Sequence, residues 1–119
     1  PFWSLPDEEK PFFMQVIMPM QQKDWTNLKN IAEKWIESDD NHSDAWYFLG
    51  LAEMNMKNYI EAVEVFKKAY NLNNRHLDSL RELFNIAKAQ DNKDELDWAL
   101  NKMKEIDPDF VKYTLNNTT

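Results

Sequence analysis

The 119-residue chain contains no cysteine, a single glycine and five prolines. The missing cysteines exclude disulfides, thiolate catalysis and cysteine-ligated zinc, and they leave the compartment open. So few glycines and prolines cannot supply the turns of a β-sandwich, and alternating apolar–polar stretches are scarce. No apolar run approaches the ~20 residues that span a bilayer, and no signal-peptide pattern is present. Bases are in deficit. Fourteen Lys and Arg face 21 Asp and Glu, which gives a net charge of −7. Duplex nucleic acid requires clustered cations that displace counterions, so nucleic-acid binding is not expected. Anionic membrane surfaces are disfavoured for the same reason, and no membrane insertion is expected. Because the chain begins at Pro1 rather than Met, the expectation is a soluble, processed or excised piece, either cytoplasmic or extracytoplasmic.

A 43% hydrophobic fraction with 29% charge is ordinary for a globular protein, and the length suits one domain. Within it, residue character recurs every 34 positions. Asp24, Asn58 and Asn92 are small and polar, and each precedes a helical-looking run. Trp25 aligns with Tyr59 and Lys93, Leu28 with Ala62 and Leu96, Ala32 with Phe66 and Leu100, and Trp35 with Ala69 and Met103. Trp46 likewise aligns with Leu80, Leu49 with Leu83, and Ala52 with Ile86. A fixed period of this size marks stacked helical hairpins rather than one closed core.

The spacing predicts a helix from Ser43, its N-cap, to Glu53, with Trp46, Leu49 and Gly50 on the inward stripe. Glycine inside a helix costs roughly 1 kcal/mol relative to alanine, which signals close approach of a neighbouring helix at Gly50. Asn58-x-x-Glu61 and Asn92-x-x-Glu95 have the form of capping boxes for the helices that follow. Asp107-Pro108 ends the second of these, since the residue before proline avoids the α region. In the first unit Ser4-x-x-Asp7 is a candidate cap, Pro11 a helix start, and Pro19 a stop or kink. A clearer helix runs from Trp25 to about Glu37, with Leu28, Ile31, Ala32 and Trp35 inward. The coarse reading is six helices in three antiparallel pairs, with a seventh stub.

The middle unit resembles a tetratricopeptide repeat. The pattern W-x2-L-G-x2-Y, then A-x3-F, then P is met by Trp46, Leu49, Gly50, Ala62 and Phe66. Glu53 stands where Tyr is usual and Asn74 where Pro is usual. In the third unit Leu80 replaces Trp and Phe84 replaces Gly, whereas Pro108 matches. The resemblance implies an all-α, right-handed solenoid of antiparallel helix pairs. It divides the chain into a leader at 1–8, repeats at about 9–42, 43–76 and 77–110, and a tail at 111–119.

It also implies a non-catalytic interaction module, without cofactor or metal, whose first helices line a concave groove for a protein or peptide. In register, the first unit would present Lys10, Phe13, Met14, Ile17 and Met20, an apolar and Met-rich end. From the second and third units the expected partner-binding residues are Tyr47, Leu51, Met54, Asn55, Arg81, Asn85 and Lys88. Tyr47, Leu51 and Met54 are expected to be accessible, because Trp46, Leu49 and Gly50 account for the buried stripe. A clamp for a terminal carboxylate is excluded, since Phe13, Ile17, Phe48, Asp78 and Glu82 occupy the places that would need cations. The alternatives are a self-associating scaffold or an accessory domain of a larger enzyme or secretion/assembly protein. Self-association would use a C-terminal end carrying Trp98, Met103 and Phe110, and the aromatic leader Phe2-Trp3.

His42 and His76, also 34 residues apart, read as solvated loop histidines rather than metal ligands. Asp39-Asp40 and Asp107-Pro108-Asp109 read as solvated helix ends without EF-hand spacing. No G-x-S-x-G, phosphate-loop or HExxH motif occurs, so no catalytic residue is assigned. Glycosylation sequons begin at Asn41, Asn116 and Asn117.

Overall fold

The structure, a computed structural model, describes residues 4–116. The leader residues Phe2-Trp3, the last two residues of the Asn116 sequon and the whole Asn117 sequon lie outside them. After a 3-10 turn at Asp7–Glu9 come α1 (Phe12–Gln15), α2 (Ile17–Gln22), α3 (Trp25–Ser38), α4 (Ser43–Asn55), α5 (Tyr59–Leu72), α6 (Leu77–Ala89), α7 (Lys93–Ile106) and α8 (Pro108–Asn116). Each helix packs mainly on its neighbours in sequence. The result is an α-solenoid measuring 45 × 26 × 24 Å. Its 15.0 Å radius of gyration exceeds the roughly 13.5 Å of a compact domain of this length.

The 34-residue period has a backbone cause. Lys23, Lys57 and Asp91 all take the left-handed conformation, with φ of 55°, 67° and 55°. Each ends a first helix in a Schellman motif. The amides of Asp24, Asn58 and Asn92 reach back to the carbonyls of Pro19, Glu53 and Ala87 at 2.9, 2.8 and 2.9 Å. The same three residues are the N-caps of the second helices. Asp24 Oδ1 accepts the Asn27 amide and Asn92 Oδ1 the Glu95 amide, each at 3.2 Å.

Asn58 breaks this pattern, and the expected Asn58–Glu61 capping box does not form. Its side chain makes no cap bond. Instead Asn58 Nδ2 donates to Glu53 Oε2 at 3.0 Å. Glu53 is 4% exposed and its other oxygen lies 2.8 Å from Lys29 Nζ. A buried carboxylate needs several donors, and that demand outweighs the local cap.

The loops between hairpins also repeat. Asp39, Asn73 and Asp107 are extended, and each side-chain oxygen accepts the amide two residues on at 3.1 Å. Asp107 also accepts the Phe110 amide at 3.2 Å, so Pro108 opens α8 as well as following α7. At the start of α4, His42 is the N-cap and Ser43 is already helical. Pro11 caps α1 as expected. Asp7 of the Ser4-x-x-Asp7 motif lies in the 3-10 turn rather than in an α-helix. Pro19 sits buried inside α2. Because it has no N–H for Gln15, the first helix is kinked into α1 and α2 at Val16 rather than ended.

The core runs the length of the stack, from Val16 through Leu28, Phe66 and Leu80 to Met103 and Val111. Met103 is fully buried, and Trp98 and Phe110 are half-buried against the core. The C-terminal end is therefore covered by α8, contrary to the exposed surface expected there. Gly50 meets the expectation of close approach. A Cβ on it would lie 2.5 Å from the fully buried Phe66 ring.

Gly50→Ala should lower stability by about 1–3 kcal/mol through overpacking, although alanine is the better helix former. A fall in urea midpoint at unchanged slope checks this. Lys57→Gly should raise stability by up to about 1 kcal/mol by relieving the left-handed backbone, seen as a higher thermal midpoint.

Candidate partner-binding face

The face expected to bind is built from α1, α2, α4 and α6. Beneath it runs a seam of rings, in which Trp35 of α3 and Phe66 of α5 are core residues. Phe12 stacks on Trp35 at 5.8 Å, Trp35 on Phe48 at 6.1 Å, and Phe48 meets the edge of Tyr47 at 5.5 Å. Tyr47 in turn contacts Phe66 at 5.8 Å and His76 at 5.2 Å. Such contacts fix ring orientation as well as burying area.

Around the Tyr47 phenol lie the charged residues of α6. Arg81 pairs with Asp78 at 3.4 Å and with Glu82 at 3.7 Å. Asn85 Nδ2 donates to Glu82 Oε1 at 3.2 Å. Burial, aided by the Glu82 and Asp78 charges, pushes the Tyr47 hydroxyl up to about 12. Burial likewise raises the Glu82 carboxyl above the usual carboxylate range, with Arg81 and Asn85 opposing it. The α4–α6 wall therefore holds a phenol, a guanidinium, an amide and a carboxylate that is costly to keep charged.

Tyr47, Met54, Arg81 and Asn85 are half-buried, and Asn55 and Lys88 are exposed. Asn55 Nδ2 donates to the Leu51 carbonyl at 2.7 Å. Leu51 differs from expectation: it is 7% exposed and belongs to the core. Trp46, assigned to the buried stripe, is only half-buried. Its Nε1 donates to the Asp40 carbonyl at 2.9 Å, with Lys68 over its ring. As the central hairpin, α4 has neighbours on several sides, so its inward surface is wider than one stripe. At the other end of the face Phe13 and Ile17 are exposed.

His76 is a second correction. Rather than being solvated, it is buried as the N-cap of α6. Its Nδ1 accepts the Ser79 amide at 3.2 Å and lies 2.8 Å from Ser79 Oγ. Nδ1 therefore carries no proton, and Nε2–H donates to Asp44 Oδ1 at 2.9 Å. The equivalent His42 remains exposed, its ring tilted against Trp35 at 4.9 Å. One repeat earlier, Ala45 stands for Ser79 and Lys10 for Asp44, so His42 has neither partner.

Sequence reasoning also missed a cleft of about 320 Å³ between α5, α6 and α7, bordered by Ile60 and Val63. Its one signal was an isoleucine in a register position held by Thr26 and Asp94 in the other repeats. Among the described residues no three His, Cys, Asp or Glu side chains are grouped to hold a metal. No helix among them is long and apolar enough to cross a membrane.

Helix pairs, turn geometry and the Gly50–Phe66 contact define a helical-repeat scaffold. Residues 43–76 match the family profile of the tetratricopeptide repeat. Two solved structures share the fold. MamA superposes with a TM-score of 0.77 at 20% identity, over 85% of this chain and 59% of that one. A chain of the CopN–Scc3 complex gives 0.79 at 11% identity, over 91% and 67% respectively. No curated protein matches the sequence. Residues 43–76 thus carry the profile of one tetratricopeptide repeat, within a solenoid that shares the fold of these structures. Such solenoids form extended surfaces that bind proteins.

The raised Glu82 carboxyl predicts a pH dependence. The folded state holds this proton more tightly than the unfolded chain, so stability falls as pH rises from the ordinary carboxylate range to the raised value. Glu82→Gln should therefore be more stable than the parent at neutral pH. Its advantage should vanish below the ordinary range, as measured by thermal unfolding across pH.

Proposed function

We propose that the chain is a non-catalytic protein-interaction module that holds a peptide or helix on the α2–α4–α6 face. The observation carrying this reading is the Tyr47 region. A half-buried aromatic, flanked by Met54 and ringed by Arg81, Asn85 and Glu82, combines an apolar anchor with fixed polar groups. Interfaces concentrate their binding energy in centres of this type. Leu51 forms the floor, while Asn55 and Lys88 stand at the rim. The exposed Phe13 and Ile17 extend the apolar part toward α1 and α2. The CopN–Scc3 neighbour, itself a protein–protein complex, is consistent with this class of role.

A second reading, self-association, draws on the two ends of the stack. Tyr113 and Leu115 are exposed on α8, and Phe13, Ile17 and Met18 at the opposite end. Ends of different composition would join head to tail. A concentration-independent monomer mass in light scattering would eliminate this arrangement. A role as an accessory domain of a larger enzyme or secretion/assembly protein is compatible with either surface.

The groove is tested by panning a displayed random-peptide library on the chain. Recovered peptides should bind Tyr47→Ala/Met54→Ala and Lys88→Glu at least about tenfold more weakly, a loss of about 1.4 kcal/mol. Helicity by circular dichroism should be retained. Undiminished binding to both variants would exclude this face.

A further inference from the structure

The cleft on the opposite side of the solenoid stands apart from that face, and the repeat itself shows why it is unusual. At the α3–α4 junction, Lys29 and Glu53 form an ion pair at 2.8 Å. At the α5–α6 junction the equivalent positions hold Val63 and Ala87. A polar bridge is thereby replaced by two smaller apolar side chains, and a cleft of about 320 Å³ opens there. Leu83, Ile86 and Ala87 of α6 form its floor, with Tyr59, Ile60 and Val63 of α5 along one wall. Farther along, α5 and α7 close together through Lys67–Glu95 at 3.1 Å and the Tyr70–Trp98 edge contact at 5.7 Å. The first two turns of α5 are thus left uncovered on their α7 side. Ile60 is 75% exposed, although Thr26 and Asp94 show that the repeat tolerates a polar residue there.

The rim carries the opposite kind of chemistry. Glu64 and Glu95 both line the cleft, beside Gln90 and Asn92. Glu95 is paired with Lys67, whereas Glu64 makes no ion pair among the described residues. Among the described residues no cationic side chain lines the cleft. With a chain charge of −7, a second copy would bring like charge against this rim.

We propose that the α5–α6–α7 cleft is a second docking site, for a basic amphipathic protein segment. Such a segment inserts an apolar side chain beside Ile60 and Val63 and sets a Lys or Arg against Glu64. Burying Ile60 and the exposed parts of Tyr59 and Val63 supplies affinity, and the Glu64 carboxylate selects the sign of the partner's charge. The site is independent of the Tyr47 face, so one chain can hold two different segments.

The test uses a synthetic amphipathic Leu/Lys helix, its Leu/Glu counterpart and a non-amphipathic scramble of the Leu/Lys peptide, at physiological ionic strength. Isothermal titration and methyl NMR are read on the parent, Ile60→Asp, Ile60→Thr, Glu64→Lys and Tyr47→Ala. Ile60 is exposed in the first turn of α5, so its substitution leaves the core intact, and Asp there suits the helix dipole. The Leu/Lys peptide should shift the Ile60 and Val63 methyls and bind at least about tenfold more tightly than the scramble. Ile60→Asp and Ile60→Thr should remove that difference, Glu64→Lys should reverse the preference toward the Leu/Glu peptide, and Tyr47→Ala should change neither. Equal binding of peptide and scramble would overturn the proposal, as would a loss seen only in Tyr47→Ala. Self-association abolished by Ile60→Asp would also overturn it, by making a second copy the occupant.

Discussion

Every hairpin in this solenoid turns on two residues, and the first of them must adopt a left-handed backbone. Lys23, Lys57 and Asp91 do so without being glycine, at a cost of roughly 1–2 kcal/mol each. The second residue, Asp24, Asn58 or Asn92, then finishes one helix with its amide and begins the next as its N-cap. Because both residues are held by backbone hydrogen bonds, the angle between paired helices is set locally. The pairs then meet in a constant register, which lets a single glycine, Gly50, receive the Phe66 ring of its own hairpin. Inter-hairpin loops built on Asp39, Asn73 and Asp107 carry the same register forward.

Features with local causes were legible in the sequence. The polar residues at 24, 58 and 92, the apolar stripes and the glycine inside α4 all act within a few residues of themselves. What escaped reading depends on groups far along the chain. The Asn58 side chain serves Glu53, itself bridged from Lys29 in the preceding hairpin. His76 sits buried with a hydrogen-bond acceptor in Asp44, 32 positions earlier. Leu51 is inside because α4 has neighbours on more than one side. A repeat pattern predicts that equivalent residues occupy equivalent places, but not that they keep equivalent partners.

The α2–α4–α6 face and the α5–α6–α7 cleft are products of the same architecture with different physical characters. On the former, stacked rings and a buried carboxylate fix the shape of the wall. In the cleft, an apolar pair replaces an ion pair and leaves space and exposed isoleucine behind. One surface has an aromatic centre ringed by polar groups. The other is open and greasy, with acid at its edge.

The kink at Pro19 reaches beyond the first helix. Pro19 has no amide to offer Gln15, so the N-terminal unit has one ladder hydrogen bond fewer than an uninterrupted helix, just where it leans on α3. The central unit is interlocked by Gly50 and Phe66 and supported on both sides. Stiffness is therefore graded along the axis, and amide exchange should proceed inward from the N-terminal unit rather than uniformly. A ligand lying across α2 and α4 would rest on one yielding wall and one rigid wall, and it would tighten the molecule chiefly at its N-terminal end.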